Sequence, residues 1–242
     1  PKKIARLNKI QDTKQAQYDS ITGLWPSVVK YMSVTCGNDF KKQLGDIIEG
    51  MNTYNGIARS SFLEMMVLRN KPVNELEKIL HNTLAYCSLL KVTGMRSLTG
   101  CNVRRCDFEQ LPDHSFLLKR IERKCGKTKN CSKPVYVKLV PHKVAELCPL
   151  VHLAAHIANN SFKPNDQIFA LGFTRKEAQS DEAFAKCIQR RFIAVLHAVF
   201  IAVGKVDGIG DKKIHIFRTM CENDLGSLGI RSSERQEYIG WT

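Results

Sequence analysis

Two long apolar segments constrain this chain more than any other feature. From about Glu75 to Thr93, Leu76, Ile79, Leu80, Leu84, Cys87 and Leu90 recur at spacings of three and four, the period of one helix face. Asp181 to Val203 reads as a second long helix. It overlaps the longest apolar run, Phe192 to Gly204, which carries His197 and is too short to span a bilayer. Pro72 restricts its predecessor to extended geometry. Asn74, with Glu77 three residues on, is the expected N-cap of the first long helix, and Gly94 ends or bends it.

Shorter signals surround these two. Leu24 to Met32 and Phe40 to Met51 show helical apolar spacing. Met95 to Val103, Val151 to Asn159, His215 to Leu225 and Ser232 to Ile239 read as further short helices. Ser115 to Arg123 and Val135 to Val140 read as strands, joined by a Gly/Asn/Lys-rich loop from Lys124 to Pro134. The expected fold is mainly α with a small antiparallel β-sheet, an α+β arrangement. Residues 1–72 form a helical N-terminal segment and residues 73–242 the main domain.

Charge narrows the choice of partner. Lys and Arg number 37 against 23 Asp and Glu, a net charge of +14, which favours a polyanion through counterion release. The stretch from Lys119 to Lys143 carries nine Lys and Arg against one acidic side chain, Glu122. Such a hairpin is either a solvated loop or a strip laid along a phosphate backbone. On the second reading Arg120, Arg123, Lys127, Lys129 and Lys133 are its DNA contacts.

Nine cysteines, an odd number without secretory context, argue for reduced thiols and an intracellular protein. Cys101/Cys106 and Cys125/Cys131 are spaced more widely than a usual zinc pair. His152-Leu-Ala-Ala-His156 lacks the glutamate of the metalloprotease motif. No metal and no cofactor are expected.

The chemistry concentrates at three places. Arg96 follows the Thr93-Gly94 break between leucine-rich helices. Pointed inward, it must be ion-paired or hold an anion. His215 and Arg218 lie three apart, on one face of a helical turn. Trp241 adds an indole N–H. Arginine, histidine and a tryptophan donor suit a phosphate better than a carbonyl or a sugar.

These residues carry a resemblance. Val92-Thr93-Gly94-Met95-Arg96-Ser97-Leu98-Thr99-Gly100-Cys101-Asn102-Val103, with Asp107 following, resembles the first-arginine box of the tyrosine recombinases, the phage-integrase family. The basic hairpin is similar to the one bearing that family's catalytic lysine. His215-Ile216-Phe217-Arg218 resembles its His-x-x-Arg box, and Ile239-Gly240-Trp241 the tryptophan form of its Leu-Gly-His/Trp box. The likeness covers roughly residues 75–242, with the boxes in family order. Cys148-Pro149-Leu150 before a helix looks similar to eukaryotic transposon-type, Crypton-like members.

The resemblance implies a site-specific DNA recombinase or transposase acting through a 3′-phosphotyrosyl intermediate. Arg96 and Arg218 would clamp the phosphate, with Trp241 donating to it, and His215 would assist proton transfer. Lys124 would protonate the leaving oxygen, with Lys127 and Lys129 as rivals. The implied partner is double-stranded DNA, bound by a homo-oligomer of two to four copies, in the nucleus of a eukaryote or of a virus's host. Two departures stand out. Thr99 occupies a position that is usually acidic, and the implied nucleophilic tyrosine falls beyond Thr242, so residues 1–242 would hold DNA without cutting it. The alternative is a catalytically inactive, recombinase-derived DNA-binding protein of the centromere or transcription-factor type.

Overall fold

The computed structural model describes residues 21–34, 37–51, 57–113, 115–120, 134–170, 173, 179–205 and 215–239. Within them, helix α1 covers 21–34, followed by α2 (Gly37–Glu49), α3 (Arg59–Arg69), α4 (Val73–Thr93) and α5 (Ser97–Cys101). Three strands come next: β1 (Phe108–Gln110), β2 (Phe116–Arg120) and β3 (Val135–Leu139). The remaining helices are α6 (Pro149–Ala158), α7 (Asp181–Ala202), α8 (Ile216–Ser227) and α9 (Ser232–Ile239). The chain is mainly helical with one small antiparallel sheet, in agreement with the sequence reading. No helix among the described residues is long and apolar enough to cross a membrane.

α4 is the axis of the fold. Its apolar stripe is only part of what it buries, because every residue from Asn82 to Leu90 is shielded from solvent. α2, α6, α7 and α8 all pack against it. The polar groups this burial traps are satisfied locally. The hydroxyls of Thr83 and Thr93 each donate to a carbonyl one turn back, those of Ile79 and Leu89, at 2.7 Å. The Tyr86 ring stacks on Phe192 of α7 with centroids 3.8 Å apart and meets Phe169 edge-on at 5.3 Å. α1 reaches the same core from the other side, where Trp25 meets Phe217 of α8 edge-on at 5.2 Å.

α3 and α7 are joined by a partly buried charge. Arg191, 5 % exposed, pairs with Glu64 at 3.4 Å and lies 3.6 Å above the Phe173 ring. A buried guanidinium needs both a counter-charge and contact along its plane, and these two residues supply them.

The sheet runs β1-β2-β3, antiparallel throughout. Phe108 pairs with Leu118, and Leu118 with Val137. These three, with Leu139, form the buried face. Lys119, Tyr136 and Lys138 alternate outward, as a one-sided sheet requires.

Three sequence expectations change here. α4 begins two residues earlier than read, with Pro72 at its N-cap. The Asn74 side chain accepts only from the adjacent Glu75 N–H at 2.9 Å, and the Glu77 carboxylate accepts instead from Gly37 N–H across the α2 interface. Strand β1 was not expected, since three residues are too few to show a period. α6 starts at Pro149, because proline suits a first turn that has no use for its missing N–H.

Gly94 closes α4 in the left-handed region, at φ 59°, and its N–H donates to the Leu90 carbonyl at 2.9 Å. A Cβ there would lie 2.5 Å from Ile239 Cγ2 and 3.2 Å from Cys221 Sγ. Both the dihedral and the space therefore demand glycine. Gly94→Ala is expected to cost about 2–4 kcal/mol, from left-handed strain plus overpacking. Urea denaturation measures this, and an unchanged midpoint would refute the tight joint.

Candidate functional site

The site forms where the end of α4 meets α8 and α9. α4 stops at Thr93, turns left-handed at Gly94 and delivers Arg96 to the N-cap of α5 in an extended conformation. α8 begins one residue after His215 and carries Arg218 on its first turn, and α9 ends at Ile239. Several polar contacts fasten these ends. The Tyr238 hydroxyl donates to the Val92 carbonyl at 3.0 Å, and the Cys221 thiol donates to the same oxygen at 3.7 Å. Lys91 forms an ion pair with Asp224. The last carbonyls of a helix have no partner of their own, so α8 and α9 complete the C-terminus of α4.

Arg218 is 2 % exposed, the largest of the fully buried side chains. Its Nη2 donates to the Ile239 carbonyl at the end of α9. A cation is favoured at that negative end of the helix dipole. Arg218 thus ties the start of α8 to the end of α9 while it brings positive charge into the interior.

Arg96 is partly exposed, and its carbonyl accepts from Gly100 N–H at 2.9 Å. His215 reaches solvent. Its imidazole is nonetheless held below the ordinary value, first by partial desolvation, then by the positive charges of Arg218 and Arg96. Both guanidinium groups therefore lie within electrostatic reach of one imidazole, although Arg96 is remote from the other two in sequence. Of the catalytic candidates among the described residues, Arg96 and Arg218 thus both act on His215.

The consequences have a definite sign. His215 is neutral near pH 7, so it can accept a proton or an N–H. Its folded value lies below its unfolded value, so its contribution to stability is complete above about pH 6.5. That contribution is lost as pH falls through the folded value. Two guanidinium groups beside a neutral imidazole form a cationic cluster suited to an anion.

Not every expected site residue can be placed. Trp241, Lys124, Arg123, Lys127, Lys129 and Lys133 lie outside the described residues. The backbone of Arg120 ends β2 opposite Val135. Lys119 and Lys138 stand on the exposed face of the sheet, and Lys138 pairs with Asp113 at 2.5 Å.

His152 and His156 are occupied by the backbone. Their Nε2–H groups donate to the Glu146 carbonyl at 2.7 Å and the Ile168 carbonyl at 2.6 Å. Among the described residues, no group of three or more His, Cys, Asp or Glu side chains could hold a metal ion.

The sequence reading missed contacts around Arg96. The Tyr86 hydroxyl donates to the Ser97 carbonyl at 2.8 Å, and Gln189 Nε2 of α7 donates to the Ser97 hydroxyl. A tyrosine inside an otherwise apolar run was the available signal, because a buried phenol needs a partner. Nothing in the sequence marks Gln189.

No protein-family model and no curated protein matches the chain.

NMR titration of His215 checks the cluster. Its midpoint is expected below about 6.5, and it should rise in Arg96→Ala. A midpoint at the ordinary value, unmoved by that substitution, would separate Arg96 from His215.

Proposed function

We propose that this protein is a DNA strand-transfer enzyme of the tyrosine recombinase type, the catalytic reading of the motif resemblance. The observation that carries it is the convergence of Arg96, His215 and Arg218, drawn from separate parts of the chain, on one cationic cluster. The basic stretch from Lys119 to Lys143 and the net charge of +14 agree with a double-stranded DNA partner.

On this reading a backbone phosphate sits between the two guanidinium groups. Arg96 and Arg218 bind its non-bridging oxygens and stabilise the charge that builds as phosphorus becomes pentavalent. The nucleophilic tyrosine that the resemblance implies attacks phosphorus through its hydroxyl oxygen, and neutral His215 assists removal of its proton. The bond from phosphorus to the 5′ oxygen breaks. Lys124, or its rival Lys127 or Lys129, gives that oxygen a proton, leaving a 3′-phosphotyrosyl link and a free 5′ hydroxyl. Trp241 adds an N–H donor to the phosphate. Rejoining is the same sequence reversed, in an assembly of two to four copies on DNA, in the nucleus of a eukaryote or of a virus's host.

One feature favours the inactive binding protein instead. Thr99 stands where the resemblance expects an acidic residue beside the first arginine. Such a protein would use the same cluster to hold a phosphate and never cut it.

A suicide DNA substrate separates the two, with the protein in its full natural length. The enzyme reading expects a covalent complex. Arg96→Ala should reduce it about a hundredfold or more, with binding changed only a few-fold because many phosphate contacts share it. Salt-sensitive binding with no covalent complex in the wild type would favour the binding protein.

pH supplies a further check on both readings. A bound phosphate stabilises protonated His215, so DNA affinity should rise as pH falls below 7. This increase should vanish in His215→Gln. Equal affinity at pH 6 and pH 8 in the wild type would place the phosphate elsewhere.

A further inference from the structure

Arg96 sits at the joint between two helices. It occupies the N-cap of α5, a five-residue helix, directly after the left-handed turn at Gly94. Residue 97 is the first that α5 fixes, and two other helices grip it. Tyr86 of α4 donates its hydroxyl proton to the Ser97 carbonyl at 2.8 Å. That proton is thereby committed, so the Cys101 thiol, 3.4 Å from the same oxygen, is the donor in the second contact. Tyr86 cannot drift, because its ring is fully buried and stacked on Phe192. From the other side, Gln189 of α7 donates Nε2–H to the Ser97 hydroxyl.

We infer that Gln189 and Tyr86 are positioning residues for Arg96, acting through a two-point grip on Ser97. Tyr86 fixes the peptide that follows Ser97, and Gln189 fixes the Ser97 side chain. Together they set the direction in which the Arg96 side chain leaves the α4–α5 joint. The resemblance expects an acidic residue at position 99 to steady this arginine, and the chain has Thr99 there. A neutral clamp on Ser97 performs that task without an added negative charge, leaving the cluster more cationic toward an anion. The relevance of the clamp to strand transfer rests on the function proposed above. Its effect on Arg96 does not.

The experiment reads the placement of Arg96 through the His215 titration midpoint, alongside thermal stability. Gln189→Ala and Ser97→Ala should each move the midpoint toward its value in Arg96→Ala. The double variant should move it no further than either single one, since both remove the same hydrogen bond. Ser97→Thr keeps the hydroxyl and should restore the wild-type midpoint. Tyr86→Phe keeps the ring stack and removes the second grip together with the Cys101 contact, so it should produce a smaller shift of the same sign.

A lowered melting temperature with an unmoved His215 midpoint in Gln189→Ala and Ser97→Ala would make these contacts structural only and overturn the inference. So would a midpoint indifferent to Arg96→Ala. If the titrations respond as stated but the full-length protein forms no covalent DNA complex, the clamp stands and the strand-transfer reading falls.

Discussion

The structure depends on how the C-terminus of α4 is completed. A helix buried along so much of its length needs partners for its last carbonyls. Here Gly94 turns back to satisfy the Leu90 carbonyl, and the Val92 carbonyl accepts from Tyr238 and Cys221. The left-handed turn also opens the space into which Ile239 presses. One end of one helix therefore fixes α8, α9 and the start of α5 together. His215, Arg218 and Arg96 belong to those three neighbourhoods, so their convergence follows from the same packing.

Such a cluster works against folding unless something offsets it. Arg218 is buried with its charge, which is costly without strong acceptors. The Ile239 carbonyl, at the negative end of α9, meets part of that need. Partial desolvation, and then the two neighbouring positive charges, hold the His215 imidazole neutral, which lowers the repulsion at neutral pH. The same arrangement makes an arriving anion unusually welcome, because it relieves repulsion and gains charge-assisted hydrogen bonds at once. On the function proposed above, the stability lost in assembling the cationic cluster is recovered as affinity for a phosphate.

Much of this was legible in the residues, for identifiable reasons. Long helices announce themselves, so α4 and α7 fell close to their expected bounds, as did α9. Arg96, His215 and Arg218 stood out because charged residues beside apolar runs need an explanation. Short elements and single contacts were not legible. β1 is three residues long, and its pairing with β2 is a tertiary fact. The N-cap of α4 was misplaced because Asn74 and Glu77 fit a local pattern, while Glu77 is used by Gly37 from another helix. The hold of Gln189 on Ser97 depends on how α7 crosses α5, which no spacing rule reveals. His152 and His156 had metal-like spacing, but each nitrogen facing the backbone had already found a carbonyl.

The central claim is that Arg96 and Arg218, separated along the chain, serve one phosphate. The most direct measurement follows the guanidinium NMR signals of both arginines, with that of His215, as a short DNA duplex is added. The account predicts that all three shift together and saturate at one DNA concentration, with His215 moving in the direction of protonation. Signals from the basic stretch between Lys119 and Lys143 that shift while those of Arg96, Arg218 and His215 stay still would contradict it.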